Sequence, residues 1–384
     1  MYSQCLMDIN FIDCFVDQHL CPTIEFKNMK KTLLTVITAI LLCMQAGALY
    51  AQKISGAGSS AAAPIYQGWA QAYQKATGIG FTYEPIGSSA GLKKIRANET
   101  NFGASDISPS DAELTRDGLV VFPVAITGIT PVVNLPKIQD GQLRLTGDLL
   151  ARIFMGEINQ WNASEIAKLN PGSILPDVPI KVVVRADGSG TTYNFADYLA
   201  KLSPAWKSKY GVKSSFDWPA NFVAVKGSDG VVKAVKDTAG AIGYVDYSYA
   251  KDNVLMTVQL QNLDGEFTKP STISFRGALA ASEWVSKGSF TGTLTNQSGK
   301  GSWPITMGTF VVIPKIADQP DQAVRMLKFF VWAFVNGDSL VQSNNFVRLP
   351  DRVQASAFKA ISSIKDKTGN NIGMSLMAAT ALPR

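Results

Sequence analysis

The sequence predicts an α/β protein of two domains, and three observations carry that prediction. At 384 residues the chain is too long for one ordinary core and suits two domains of usual size. Short β-rich runs alternate with helical stretches, the pattern of sheets covered by helices. Four of the strand-to-helix junctions are rich in Ser, Thr and Gly, a repeated device rather than one ordinary turn.

Composition narrows the function. With 46% hydrophobic and 17% charged residues the chain reads as globular, not disordered. The formal charge of +6 is spread out, in basic runs no longer than pairs such as Lys93-Lys94, so no nucleic acid is expected as a partner. Met29-Lys30-Lys31, the apolar stretch from Thr32 to Met44 and the small residues ending at Ala51 read as a secretory signal peptide over 29–51, too short for a good membrane span. Met29 reads as the real start, with residues 1–28 a start-site extension. Leu42 is bulky where a small residue precedes a lipidated cysteine, so Cys43 reads as part of the apolar leader.

Cys5, Cys14, Cys21, Cys43 and His19 all precede residue 52, so the expected mature chain contains neither Cys nor His. That excludes Ser-His-Asp and Cys-His catalysis, thiolate redox chemistry and sites for soft metals. No metal or cofactor is expected.

The elements follow in order. Ile54-Ser55 enters the turn Gly56 to Pro64, after which Ile65, Tyr66, Trp69 and Tyr73 recur at helical spacing. Gly56, Gly58 and Ala61 satisfy the dinucleotide fingerprint, a weak match when it stands alone, and a Gly/Ser turn opening a helix is the simpler reading. Ser60 is then either an N-cap or an anion-donor hydroxyl. Phe81 to Ile86 alternates as a strand before Gly87-Ser88-Ser89-Ala90-Gly91 and a short helix over 92–97. Phe102 to Asp106 ends another strand, and Ser108 is expected to cap a helix with Pro109 in its first turn. Val120 to Val133 is a β-rich run interrupted by Gly128 and Pro131, able to cross from one domain to the other.

A helix over 148–153 follows, and Trp161 reads as core or hinge packing. Pro179 to Val184 is a strand that runs into Arg185-Ala186-Asp187-Gly188-Ser189-Gly190-Thr191-Thr192 and a helix. Unpaired N–H groups, hydroxyls and the positive end of that helix meet a guanidinium there, which predicts an anion site. Ala239 to Val245 reads as a buried strand, and Trp303-Pro304-Ile305 with Thr309 to Ile313 as a return crossing. Residues 320–334 and 351–364 read as amphipathic helices covering it.

Gly56-Ala57-Gly58, Gly87 to Gly91, Phe102 to Asp106, Arg185 to Thr191, Gly240 to Val245 and Trp303-Pro304-Ile305, in this order and spacing, resemble the phosphate-binding proteins of bacterial high-affinity phosphate uptake. The likeness covers essentially the whole mature chain. It implies a two-lobed periplasmic binding protein type II fold, each lobe a mixed sheet flanked by helices, joined by two hinge strands. Lobe I is expected over 52–126 plus 305–384 and lobe II over 127–304. The resemblance assigns phosphate contacts to Ser60, Ala61 through its N–H, Ser88, Asp106, Arg185, Ser189, Gly190 through its N–H and Thr191, with Asp187 as the arginine's partner. One departure shows: Ser60-Ala61-Ala62 stands where the family commonly has Thr-Phe-Pro.

Inorganic phosphate at neutral pH holds a proton that a fixed carboxylate can accept, whereas sulfate holds none. Asp106 therefore reads as the discriminator, because an unpaired buried acceptor is costly. The resemblance further implies a monomeric periplasmic receptor, not an enzyme, with the permease subunits and cytoplasmic ATPase of an ABC transporter as partners. The alternatives are a receptor for sulfate or molybdate, or a secreted phosphate-handling enzyme.

Overall fold

The computed structural model describes residues 53–381. The expected start-site extension and signal peptide lie outside the described residues. The strands run in chain order as β1 (Ile54–Gly58), β2 (Phe81–Glu84), β3 (Phe102–Ser105), β4 (Leu119–Val133), β5 (Arg144–Leu145), β6 (Lys181–Arg185) and β7 (Val223–Val225). After them come β8 (Ala241–Asp246), β9 (Met256–Thr257), β10 (Gln259–Gln261), β11 (Phe267–Thr268), β12 (Thr306–Pro314), β13 (Ile316–Ala317) and β14 (Lys365–Asp366).

Nine of these form one mixed sheet in the order β2-β1-β3-β12-β4-β8-β6-β7, with β9 added to β4. On one side β1 is parallel to β2 and β3; on the other β6 is parallel to β7 and β8. Between them β12 and β4 run antiparallel to each other and to their outer neighbours. The result is a two-lobed mixed α/β fold whose halves share two long strands.

β4 is one continuous strand of 15 residues, where Gly128 and Pro131 led us to expect an interrupted run. It survives because it changes partner: Leu119 to Gly128 pair with β12, and Ile129 to Val133 with β8. Pro123 is tolerated at a bulge, where the register shifts between Thr309 and Phe310 and Val124 is left over. The crossing is pinned by Trp303, fully buried, whose Nε1 donates to Ile129 O at 2.9 Å, and by Ile129 N donating to Ile305 O at 2.8 Å.

Helices cover the sheet as the apolar spacing requires. Ala63–Thr77 buries Ile65, Tyr66, Trp69 and Tyr73, and Pro320–Asn336 buries Met326, Leu327, Phe330 and Phe334. Phe330 stands edge-on to Phe102 at 5.1 Å. Trp161 is fully buried in the core and its Nε1 donates to Gly240 O at 2.9 Å, fixing the entry to β8.

Two boundaries differ from the sequence reading. The helix expected from Ser108 begins at Asp111, because Ser110 and Glu113 close a reciprocal capping box that Ser108 cannot make. The short helix expected over 92–97 starts at Ser88, taking the Gly/Ser turn into its first turn.

Candidate functional site

The parallel strands on both sides of β4 and β12 end at one place. β1 delivers Ser59 and Ser60, β2 delivers Ser88, and β3 delivers Asp106. From the other half β6 delivers Arg185 and the loop to Gly190, β7 delivers Gly227 and Ser228, and β8 leads to Tyr249. Ligands of open α/β sheets sit outside such carboxyl ends.

Gly58 sets the first turn. Its φ is +145°, and a Cβ there would lie 1.9 Å from Ala104 O in the adjacent strand. Close packing of β1 on β3 thus accounts for glycine at this position of the dinucleotide-like match.

Every expected phosphate contact is buried, Asp187 is half-buried, and most of them lie in one linked network. The Ser88 hydroxyl accepts from Asp106 N and from Gly190 N, each at 3.2 Å, tying the two sides together. Asn194 Nδ2 donates to Asp106 O at 2.8 Å and to Gly190 O at 2.9 Å. Ser189 caps the helix Gly190–Leu202, its Oγ accepting from Thr192 N at 3.1 Å. Thr191 is buried in the first turn of that helix. Ala61 is buried in the turn before Ala63–Thr77.

Ser60 is not a helix cap. Ser228 N donates to its Oγ at 3.2 Å, the two hydroxyls lie 3.0 Å apart, and Tyr249 OH donates to Ser60 O at 2.9 Å. The residue that serves the helix start is Ser59, whose Oγ accepts from Ala62 N at 3.2 Å.

The charged groups are arranged as an ion pair facing a lone carboxyl. Arg185, 2% exposed, donates through Nε to Asp187 Oδ1 at 2.7 Å and through Nη2 to Asp187 Oδ2. Gly227 N donates to the same Oδ1 at 3.1 Å. Burial pushes the Asp187 carboxyl up, but the hydrogen bonds and charge of Arg185 outweigh it and hold it below the usual range.

Asp106 is different. Its Oδ2 accepts from Ser59 Oγ at 2.6 Å, while Oδ1 is buried with no hydrogen-bond partner among the described residues. Burial pushes this carboxyl up to about 6, against the opposing Ser59 bond and the Arg185 charge. The hydroxyls of Thr309 and Ser88 lie near enough to favour the anion, yet neither meets hydrogen-bond geometry at Oδ1. Among the described residues no group of three or more carboxylates could hold a metal ion.

Ser59, Asn194, Ser228 and Tyr249 escaped the sequence reading. Ser59 and Ser60 are neighbours, and nothing in one dimension says which hydroxyl meets Asp106. Tyr249 is far along the chain. Ser228 did carry a signal: Val223-Ala224-Val225-Lys226-Gly227-Ser228 is the same strand, glycine, serine and helix device, but three strand residues are too few to show alternation.

Fold and site together define a two-lobed binding protein, and comparison with known proteins agrees. Residues 45–331 match the model of the PBP superfamily domain. A Xylella fastidiosa protein named phosphate-binding protein PstS is 44% identical over 298 residues, covering 78% of this chain and 82% of its own length. The protein of that name from Pasteurella multocida is 44% identical over 319 residues, covering 83% and 92%. The solved phosphate-binding protein from Stenotrophomonas maltophilia superposes with a TM-score of 0.62 at 22% identity, covering 81% of this chain and 94% of its own, and shares the fold. The chain belongs to the PBP superfamily and, within it, to the PstS phosphate-binding proteins.

Proposed function

We propose that this chain binds inorganic phosphate in the cleft between its lobes and presents it to an ABC-type membrane permease driven by a cytoplasmic ATPase. It acts as a monomeric receptor outside the cytoplasm, in the periplasm, and not as an enzyme. The names of its relatives support the ligand, and the expected leader over 29–51 supports export. Among the described residues no helix is long and apolar enough to cross a membrane.

We take the lobes as 52–126 with 305–384 and 127–304. The change of partner along β4 after Gly128, and the start of β12 at Thr306, support boundaries close to these.

The observation that carries the ligand is Asp106 Oδ1, a buried acceptor that has no hydrogen-bond partner among the described residues and sits among hydroxyl and N–H donors. In the proposed complex the anion takes charge-assisted bonds from Arg185, the hydroxyls of Ser60, Ser88, Ser189 and Thr191, and the N–H groups of Ala61 and Gly190. Each contributes roughly 1.5–3 kcal/mol before ordering and desolvation. The ligand's remaining O–H donates to Asp106 Oδ1. Sulfate and molybdate, with no proton to donate at neutral pH, face that oxygen with repulsion. Calorimetry on ligand-stripped protein tests this: phosphate is expected to bind at least about 10²-fold more tightly than sulfate at pH 8, and comparable affinities would refute the assignment.

A further inference from the structure

We propose that Ser59 is a specificity-determining positioning residue: its hydroxyl occupies Oδ2 of Asp106 and leaves Oδ1 alone to accept the ligand's O–H. This rests on the phosphate reading above.

The geometry commits the hydroxyl. Ser59 Oγ has one proton, and because the same oxygen already accepts from Ala62 N at 3.2 Å, that proton goes to Asp106 at 2.6 Å. Ser59 is itself held rigidly: its N–H donates to Ala104 O at 2.9 Å, and Tyr83 OH donates to its carbonyl at 2.7 Å. Donor and acceptor leave the ends of adjacent parallel strands, with Gly58 paired to Ala104, so the bond does not depend on what fills the cleft. Both residues are buried, Ser59 to 1% and Asp106 to 3% exposure, where a hydrogen bond to an anion is strong.

The other groups facing this carboxyl are identified. Arg185, at the end of β6, favours the anion; Asp246, at the end of β8, is itself raised by the Asp106 charge, and Tyr66 and Tyr83 are neutral phenols whose own ionisation Asp106 suppresses. Burial is the main force against the anion and the Ser59 bond the first that resists it.

Sulfate reads this balance directly. With no proton of its own, it binds when Asp106 takes one up and becomes a donor. Its affinity therefore rises tenfold per unit of falling pH, until pH passes the Asp106 pKa of the free protein, and then levels off. The pH of that break is the readout.

Sulfate affinity is measured by calorimetry against pH for the wild type and Ser59→Ala, with a cooperative urea-unfolding transition as the check on the fold. We expect the break to move up by about one pH unit in the variant. An unmoved break in a folded variant overturns the role of Ser59. If Ser59→Ala does not fold, Ser59→Cys carries the same prediction, since a thiol fills the space but donates weakly. Equal phosphate and sulfate affinity in the wild type at pH 8 would instead overturn the phosphate reading itself.

Discussion

Gly190 is one of the residues where the two sides approach closely. A Cβ there would lie 2.5 Å from Ser88 Oγ and 2.7 Å from Asp106 Cβ. The hydroxyl could turn away, but Asp106 Cβ is tied to β3 and cannot. Gly190→Ala is therefore expected to weaken phosphate binding by about 10- to 100-fold, from roughly 1–3 kcal/mol of overpacking, although alanine is the better helix former. Calorimetry checks this, and unchanged affinity would mean that the bound form keeps these groups apart. A second residue, Asp246, bears on stability. It is fully buried, with Oδ2 accepting from Thr127 Oγ1 at 2.6 Å and Oδ1 from Ser248 N at 2.9 Å and Ser248 Oγ at 2.6 Å. Burial still pushes it up to about 7. A carboxyl whose folded pKa is raised holds its proton in the fold after the unfolded chain has lost it. Its contribution to stability is therefore greatest at acid pH and declines as pH rises from its ordinary value of 3.8 toward about 7. Asp246→Asn is expected to flatten this decline by an amount on the order of a few kcal/mol, measured by urea unfolding of ligand-free protein at successive pH values. An identical pH slope in the variant would show that Asp246 titrates normally.

At the scale of elements, the long paired strands hold the halves in place, and their glycines are there for packing. Gly128 lies where β4 changes partner, and a Cβ on it would meet the Phe275 ring at 2.1 Å. Gly128→Ala is expected to destabilise by about 1–3 kcal/mol in chemical denaturation, whereas Ser110→Ala, which opens an exposed capping box, costs about 1 kcal/mol and leaves phosphate affinity unchanged. What the sequence showed and hid follows from the same physics. Gly/Ser junctions were legible because a strand ending at a helix N-terminus needs small residues and hydroxyls whatever its partners, and Arg185 to Thr191 stood out for that reason. The unbroken course of β4 was not, since Gly128 and Pro131 weaken a strand read in isolation and the strands that pair with it, β12 and β8, lie far along the chain. The cap shift from Ser108 to Ser110 turned on Glu113, three residues on, reaching back to close the box. Ser228 was hidden because its strand is too short to show a period.

At the scale of the molecule, hydrogen bonds between protein groups cross the cleft. Tyr249 OH donates to Ser60 O, Ser228 N to Ser60 Oγ, and Ser89 N to Gly188 O at 3.1 Å. Each runs from a protein donor to a protein acceptor across the cleft, so each favours the closed arrangement. A receptor of this kind binds with an apparent affinity set by its intrinsic affinity and by the fraction of molecules able to close. Tyr249→Phe deletes one buried hydrogen bond of roughly 0.5–1.5 kcal/mol while preserving the ring and its packing. Its effect belongs to release: the open protein meets phosphate with the same residues, but the closed one reopens sooner. Phosphate dissociation measured by stopped flow is expected to quicken about three- to tenfold with the association rate unchanged. A dissociation rate equal to the wild type would show that Tyr249 does not hold the cleft shut. A slower association rate would place its bond in the encounter with ligand instead.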